Sequence, residues 1–210
     1  MGVTVDQLKQ EKIVSIIRMS SIDRLDETVE ALYKGGIRAV EITTNTKDAP
    51  KGISRTKELF PEMLVGAGTV LDSESVNLVI SAGADFILTP TLKKETIEST
   101  NRYQVPIIPG AFSPTEVLTA VEYGASIVKV FPARQVGPGY FSDLRGPLPH
   151  IQTMAVGGIN LENANSYLNA GASMLGVGSS LVDEALVQKG DFDEIERRAN
   201  RFVEIVQNAK

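Results

Sequence analysis

The sequence predicts an α/β protein that folds as a (β/α)8 barrel in one domain, residues 1–210, with an N-terminal helix. Short apolar segments alternate with amphipathic segments about eight times along the chain, which is typical of parallel β/α units. No stretch has the composition of a linker. Eight strands in 210 residues favour a closed barrel over an open doubly wound sheet, which stays the alternative.

The strands are predicted where a short apolar run is bounded by glycine, proline or a charged residue. Such runs cover residues 12–18, 38–43, 63–69, 85–90, 105–109, 126–131, 153–156 and 174–177. The intervening segments predict helices at residues 4–10, 21–34, 48–59, 72–82, 93–102, 114–123, 137–144, 161–169, 179–187 and 192–207. Thr4 is a possible N-cap of the first helix, and Gly35-Gly36 ends the second.

Composition excludes several classes of function. The net charge is −5 and no basic stripe occurs, which argues against nucleic acid as a partner. The chain has no cysteine and one histidine, so disulfides, thiolate chemistry and the common zinc sites are excluded, and no cofactor or metal is expected. Residues 1–12 are polar and charged, so no signal peptide is expected there, and no apolar run approaches the ~20 residues of a membrane span. We expect a cytoplasmic protein with no membrane partner.

The most unusual residue is Lys129, which interrupts the apolar strand 126–131 with no carboxylate nearby in sequence. A lysine on a central strand must extend to solvent or be kept inside for a reason. Burial lowers the pKa of an ammonium group, and a neutral amine is a nucleophile toward carbonyl carbon. His150, by contrast, follows Gly146-Pro147-Leu148-Pro149 and is predicted to be a surface residue.

Barrel geometry brings four polar residues together. Side chains alternate inward and outward along each strand, and chemistry collects at the carboxyl ends. Lys129 is predicted to face inward from its strand, and Glu41 from the second. Arg18 and Thr69 end the first and third strands. Together they supply an amine, a carboxylate, a guanidinium and a hydroxyl.

The inward orientation of Glu41 and Lys129 determines which other side chains of their two strands face inward and which face outward. Ala39, Thr43 and Ile127 are predicted to face the barrel interior with the glutamate and the lysine. The side chains predicted to face the helices are Val40, Ile42, Val128 and Val130.

Structural roles are the alternatives for all four polar residues. Glu41 would then be an exposed strand-end carboxylate paired with Arg38 or Lys47. Lys129 would pair with Glu41 inside the barrel, an arrangement that is weak evidence of stability. The arginine would be a surface charge and the threonine a turn residue.

Two glycine turns predict an anion site at the same end of the barrel. Gly157 and Gly158 follow the seventh strand, and Gly178 and Ser179 follow the eighth and are predicted to open a helix. Glycines let backbone N–H groups approach an anion, and loops after strands 7 and 8 are the usual phosphate site of such barrels. Ordinary tight βα turns are the alternative.

The motifs in chain order resemble one family. They are Glu41-Ile42-Thr43, Gly66-Ala67-Gly68-Thr69-Val70, Pro109-Gly110, Val128-Lys129-Val130-Phe131-Pro132-Ala133 and Gly157-Gly158-Ile159. The chain resembles the 2-keto-3-deoxy-6-phosphogluconate (KDPG) and 2-keto-4-hydroxyglutarate (KHG) aldolases from about residue 13 to residue 203. The resemblance implies a trimeric, metal-free TIM barrel of carbohydrate metabolism (the Entner–Doudoroff type). Its substrate would be a small keto-acid phosphate, cleaved to pyruvate and glyceraldehyde 3-phosphate.

The resemblance also implies roles for individual residues. Lys129 matches the Schiff-base lysine and Glu41 the general acid/base. Thr69 matches a residue that binds the pyruvate carboxylate, and Arg18 matches an arginine at the end of the first strand. Pro90 and Phe131 match residues lining the pyruvate pocket. Gly157, Gly158 and Ser179 match the phosphate-binding turns, and Gly178, which precedes Ser179, is also predicted to bind substrate.

Two positions depart from the family pattern. Asn45 stands where many members have an arginine that helps bind the substrate carboxylate. Val156 precedes the glycine pair and is predicted to bind substrate. Gluconate-type enzymes usually have threonine at this position, whereas galactonate-type enzymes resemble this chain. A missing hydroxyl can relax discrimination at C4 of the substrate, so the preferred epimer stays open.

Three other functions stay open beside the KDPG-type aldolase. A 4-hydroxy-2-oxoglutarate aldolase would release pyruvate and glyoxylate. A phosphate-barrel epimerase would use Lys129 and Glu41 as acid and base without a covalent intermediate. A non-catalytic barrel would bind a phosphorylated metabolite without turnover.

Overall fold

The computed structural model describes residues 5–209, which form nine parallel strands in a nearly closed barrel surrounded by helices. This architecture confirms the predicted (β/α)8 fold. The strands are β1 (Ile13–Ile17), β2 (Ala39–Thr43), β3 (Leu64–Gly68), β4 (Ile87–Leu88), β5 (Ile107–Ile108), β6 (Gly110–Ala111), β7 (Ile127–Val130), β8 (Gln152–Val156) and β9 (Met174–Val177).

The ninth strand arises because the predicted strand 105–109 is divided at Pro109. Proline has no N–H group for the sheet ladder, so the ladder changes partner there. On one side of the proline β5 pairs with β4, and on the other side β6 pairs with β7. The Pro109 carbonyl accepts a hydrogen bond of 2.9 Å from the Lys129 backbone N–H. The strands follow the order β5-β4-β3-β2-β1-β9-β8-β7-β6 around the barrel. The two end strands of this order, β5 and β6, are joined through Pro109, so the backbone itself closes the barrel.

Helices precede and follow the strands as the alternation predicts. They are α1 (Val5–Glu11), α2 (Leu25–Lys34), α3 (Ala49–Leu59), α4 (Ser73–Ser81), α5 (Lys94–Arg102), α6 (Pro114–Glu122), α7 (Gly139–Arg145), α8 (Ala164–Asn169), α9 (Glu184–Lys189) and α10 (Phe192–Asn208), with a 3-10 turn at Ala133–Gln135. The predicted N-cap Thr4 lies outside the described residues.

Local chemistry explains where individual helices begin. Asp72 caps α4 by accepting a hydrogen bond from the Ser75 N–H. Ser113 and Glu116 form a capping box at α6, which Pro114 then opens. The prediction of a helix from residue 179 was wrong. Asp183 has extended backbone angles and accepts from the Ala185 N–H, so α9 begins only at residue 184.

Two apolar layers follow from strand alternation. The layer between barrel and helices contains the predicted outward residues Val40, Ile42, Val128 and Val130. The barrel interior contains Leu8, Val14, Ile16, Ala39, Phe86, Leu88, Ile108, Ile127, Met154, Val156 and Met174. The inward placement of Ala39 and Ile127 is thereby confirmed. Thr43 is buried, and its hydroxyl donates to the Ile17 carbonyl at 3.3 Å.

Helix α1 closes the amino-terminal end of the barrel. Leu8 is fully buried and packs with the interior residues, and Val5 is partly buried against the same cluster. At the other end of the chain α10 packs on α2, where a Cβ at Gly35 would overlap Ala199. Among residues 5–209, no helix is both long and apolar enough to cross a membrane.

Candidate active site

A cavity of about 740 Å³ opens at the carboxyl ends of the strands. Every residue that the sequence analysis proposed for the site lines this cavity. They are Arg18, Glu41, Thr69, Pro90, Lys129, Phe131, Val156, Gly157, Gly158, Gly178 and Ser179. Asn45 is exposed and His150 is exposed, and neither belongs to the lining.

Lys129 extends into the cavity from β7. Its side chain is 5% exposed, and its backbone pairs with Gly110 of β6 and Met154 of β8. The ammonium nitrogen Nζ lies 5.0 Å from the centre of the Phe131 ring. Within the described part of the chain, Nζ makes no ion pair or hydrogen bond. The amine is therefore enclosed but unpaired.

Glu41 lies on β2, facing the same cavity, and is 1% exposed. Its carboxylate occupies space that only glycine leaves open, because a Cβ on Gly68 would overlap Oε1. Oε2 is buried without a hydrogen-bond partner among the described residues. The alternative of an exposed carboxylate paired with Arg38 or Lys47 is excluded by this burial.

Burial moves the pKa values of the two groups in opposite directions. Removal from water raises the pKa of Glu41, while the nearby charges of Lys129 and Arg18 lower it to a smaller extent. Removal from water lowers the pKa of Lys129, and the positive charge of Arg18 lowers it further. The Glu41 charge opposes that change. At a given pH, the uncharged forms of Glu41 and Lys129 are therefore more populated than those of the same side chains in water.

Arg18 and Thr69 meet at one side of the cavity. The Arg18 Nη2 group donates to the Thr69 hydroxyl at 3.4 Å. Thr69 has φ +59°, a left-handed conformation that costs a β-branched residue energy. The Thr44 hydroxyl holds that conformation by donating to the Thr69 carbonyl at 2.7 Å. The Thr69 side chain is thus fixed beside the Arg18 guanidinium in the cavity lining, and Thr69 is more than an ordinary turn residue.

Backbone groups of two glycine turns form another part of the cavity lining. Gly157 and Gly158 have φ angles of +97° and +82°, which glycine adopts without strain. Consecutive positive-φ glycines expose N–H groups toward a ligand. Gly178 has open space where a Cβ would lie. Its carbonyl accepts from the Leu181 and Val182 N–H groups, so the segment is one turn and not the predicted helix start.

Several lining residues were not predicted. Arg134 follows β7 closely, and Asp183 and Glu184 begin α9. The sequence signal for Arg134 is its position in a loop at the carboxyl end of the lysine strand. The other unpredicted lining residues are Ile16, Pro132, Ile159, Asn160, Ser180 and Val182. Among residues 5–209, no group of three or more His, Cys, Asp or Glu side chains could hold a metal ion.

The arrangement defines a barrel that can process carbonyl compounds. An enclosed amine with a lowered pKa can add to a carbonyl carbon, and an enclosed carboxyl group with a raised pKa can move protons. Backbone N–H groups about a glycine pair suit an anionic substituent. The three features share one cavity, so a single bound molecule can contact all of them.

Comparison with known proteins identifies the family. The profile "Aldolase: KDPG and KHG aldolase" matches residues 4–198. The chain is 34% identical to the 2-dehydro-3-deoxy-phosphogluconate aldolase of Haemophilus influenzae, covering 97% of this chain and 96% of the relative. It is also 34% identical to the 2-dehydro-3-deoxy-6-phosphogalactonate aldolase of Escherichia coli, over 80% of this chain and 83% of that protein.

A solved structure agrees with these relatives. KDPG aldolase from Legionella pneumophila, with pyruvate captured at low pH as a covalent carbinolamine, matches with a TM-score of 0.86 and 28% identity. The match covers 90% of this chain and 93% of that chain. The chain belongs to the KDPG and KHG aldolase family, as the sequence motifs predicted. The relatives are aldolases, so the reaction class that the family shares is that of a lyase.

Proposed function

We propose that the protein cleaves a 2-keto-3-deoxy-6-phospho sugar acid to pyruvate and glyceraldehyde 3-phosphate through a Schiff base on Lys129. The observation that carries the proposal is the enclosed, unpaired amine of Lys129 facing the same cavity as the buried carboxyl group of Glu41. The relatives' activities support the reaction class.

The first stage is addition of the amine to the ketone. The neutral amine of Lys129 attacks C2, and the carbonyl oxygen becomes the hydroxyl of a carbinolamine. The protonated carboxyl group of Glu41 donates its proton to that hydroxyl, which leaves as water, so that an iminium ion and a Glu41 carboxylate remain. The lowered pKa of the amine supports this step, because only the unprotonated nitrogen has a free electron pair.

The second stage is cleavage of the C3–C4 bond. The Glu41 carboxylate takes the proton of the C4 hydroxyl, and the C3–C4 electron pair moves toward the iminium nitrogen. The aldehyde leaves and an enamine remains. Protonation at C3 and hydrolysis by water release pyruvate and regenerate the amine. The unsatisfied Oε2 of Glu41 supports its role, since this oxygen is not committed to another hydrogen bond among residues 5–209.

Two groups of lining residues suggest how the substrate lies. The carboxylate of the pyruvyl half would contact Arg18 and Thr69, which compensate for the lack of an arginine at Asn45. The phosphate would contact the turns of Gly157, Gly158, Gly178 and Ser179. Pro90 and Phe131 would pack on the pyruvyl half between them. Their common cavity supports this orientation.

The C4 configuration is the less constrained part of the substrate. Val156 faces the barrel interior and offers no hydrogen bond to a C4 hydroxyl. We therefore propose activity on both the gluconate and galactonate phosphates, which differ at that carbon. The similarity to both a gluconate and a galactonate aldolase supports dual use. We further propose a cytoplasmic homotrimer, as the family resemblance implies.

Reductive trapping tests the covalent step. Incubation with pyruvate and borohydride should add one reduced pyruvyl group to Lys129, located by peptide mass spectrometry. Protein treated with borohydride alone is the control. Absence of adduct at saturating pyruvate would exclude the Schiff base. In that case C–H exchange on a sugar phosphate would indicate the epimerase alternative.

A second candidate function is cleavage of 4-hydroxy-2-oxoglutarate to pyruvate and glyoxylate. The family profile names KHG as well as KDPG aldolases, and the proposed Lys129–Glu41 chemistry is the same for both. A pyruvate-release assay comparing both phosphates with hydroxyglutarate separates the candidates by kcat/KM.

A further inference from the structure

Arg134 is a charged residue of the cavity that the proposed reaction does not use. It lies in the 3-10 turn after β7, and it is exposed at the cavity wall. Its backbone N–H donates to the Gly157 carbonyl at 3.0 Å. This hydrogen bond holds the Arg134 backbone next to Gly157 and Gly158.

The aliphatic stem of Arg134 lies against Gly158. A Cβ built on Gly158 would come within 2.7 Å of the arginine Cβ and 2.9 Å of its Cδ. The side chain therefore lies over the second glycine of the turn. The space that glycine leaves empty is used by the arginine stem.

The guanidinium of Arg134 has no partner within residues 5–209, neither an ion pair nor a hydrogen bond. Besides Glu41, the cavity lining contains two carboxylates, and both accept backbone hydrogen bonds. Asp183 accepts from the Ala185 N–H at 2.8 Å, and Glu184 accepts from the Ser20 N–H at 2.7 Å. An arginine fork beside exposed backbone N–H groups is a combination suited to phosphate.

We infer that Arg134 binds the distal phosphate of the substrate and makes the protein prefer phosphorylated substrates. The inference rests on the proposed function, because it assumes that this cavity cleaves keto acids. It assigns the discrimination between phosphorylated and unphosphorylated substrates to one side chain outside the glycine turns.

Substrate chemistry explains why Arg134 should discriminate. In the sugar-acid phosphates the phosphate is attached at C6, two carbons beyond the reacting C4 atom. In 4-hydroxy-2-oxoglutarate the second carboxylate is attached directly to C4 and lies near Lys129 and Glu41. Arg134 can therefore contact the first kind of substrate and not the second.

The test compares Arg134→Met, Arg134→Lys and the surface control Arg102→Met with the unmodified protein. Methionine keeps the stem over Gly158 and removes the charge. For the KDPG-type phosphate, Arg134→Met should raise KM about tenfold, equal to about 1.4 kcal/mol, with kcat within about twofold. Arg134→Lys should recover part of that loss, since lysine keeps the charge but not the fork. For 4-hydroxy-2-oxoglutarate, KM should not change.

The outcomes separate this inference from the proposed function. Pyruvate trapping on Lys129 should be equal in all four proteins, because pyruvate has no phosphate. If trapping occurs but Arg134→Met leaves the KM for the phosphorylated substrate unchanged, the role of Arg134 is wrong and the aldolase proposal stands. Equal losses on both substrates would also overturn it, since they would indicate a general disturbance. Absence of trapping in the unmodified protein would refute the Schiff base itself.

Discussion

The two ends of the cavity handle charge in opposite ways. The inner end places ionisable side chains, Lys129 and Glu41, on strands and removes them from water. The outer end uses backbone N–H groups of Gly157 and Gly158 and the exposed Arg134, all on loops. Burial shifts pKa values but requires a rigid frame. In the proposed reaction the exposed groups bind the substrate. Substitutions should therefore affect catalysis at the inner end and affinity at the outer end.

The largest effect is expected for Lys129→Met. Methionine fills a similar apolar volume but cannot form a Schiff base, so kcat/KM for cleavage should fall by about 10⁴-fold or more. Pyruvate-release kinetics measure the loss, and thermal unfolding should show that the fold is kept. The Lys129 amine makes no ion pair or hydrogen bond among residues 5–209, so its removal breaks none. Retention of more than a tenth of the activity would contradict the covalent mechanism.

Glu41→Gln should have the next largest effect. Glutamine preserves shape beside Gly68 but cannot take the proton of the C4 hydroxyl, so kcat should fall by about 10²–10⁴-fold. The same variant should still form some pyruvate adduct on borohydride treatment, because the amine remains. A kcat close to that of the unmodified protein would assign the proton transfer to another group.

Gly68→Ala tests the space reserved for the carboxylate. The added methyl group would overlap Oε1 of Glu41 and displace it, so kcat should fall by at least about tenfold while Lys129 stays in place. Gly139→Ala is the matched control, since nothing lies within 4 Å of its Cβ position and its φ is not positive. The control should keep full activity. Equal activity of the two variants would show that the Glu41 position is not critical.

The pH dependence of Lys129 should respond to its two charged neighbours in opposite directions. Burial lowers the pKa of the amine below 10.5, so its reactivity should rise with pH and level off earlier than for free lysine. Glu41→Gln removes a negative charge that favours the ammonium form and should shift the midpoint to lower pH. Arg18→Gln removes a positive charge that disfavours it and should shift the midpoint to higher pH.

Trace acetylation with acetic anhydride, read by peptide mass spectrometry without substrate, measures this titration. The exposed Lys189 in the same digest is the internal reference for reagent reactivity. Shifts of the same sign in both variants would show that the electrostatic assignment is wrong.

The smallest effect is expected for Thr44→Val. Valine keeps the shape but cannot donate to the Thr69 carbonyl, so the strained turn loses its restraint. KM for pyruvate-type substrates should rise severalfold, an effect of about 1 kcal/mol, with kcat little changed. Ser54→Ala, at an exposed hydroxyl on α3 away from the cavity, is the control. An unchanged KM would mean that the turn holds Thr69 without this bond.

Sequence periodicity predicted the interior of the barrel better than its loops. Inward placement of Glu41 and Lys129 followed from the two-residue repeat of a strand, which local sequence determines. Residues Arg134, Asp183 and Glu184 were missed because a loop's path depends on contacts distant in sequence. The helix predicted from residue 179 failed because the Asp183 cap was not recognised.

Two other features required the three-dimensional register. Gly68 lies in the predicted strand 63–69, but its role appears only when β2 and β3 are paired, with Thr43 opposite Gly68. Pro109 marked the end of a predicted strand. The change of hydrogen-bonding partner at Pro109 follows from closure of the barrel, and no local sequence pattern indicates that closure.

Leu8 has a consequence for the order of events in catalysis. By filling the amino-terminal end of the barrel, it leaves the carboxyl ends of the strands as the entrance to the cavity that residues 5–209 form. The pyruvyl half would be attached at the inner end while the aldehyde half lies toward that entrance. The aldehyde must then depart before the three-carbon acid can leave. Product-inhibition patterns should accordingly be those of an ordered release, with pyruvate the last product to dissociate.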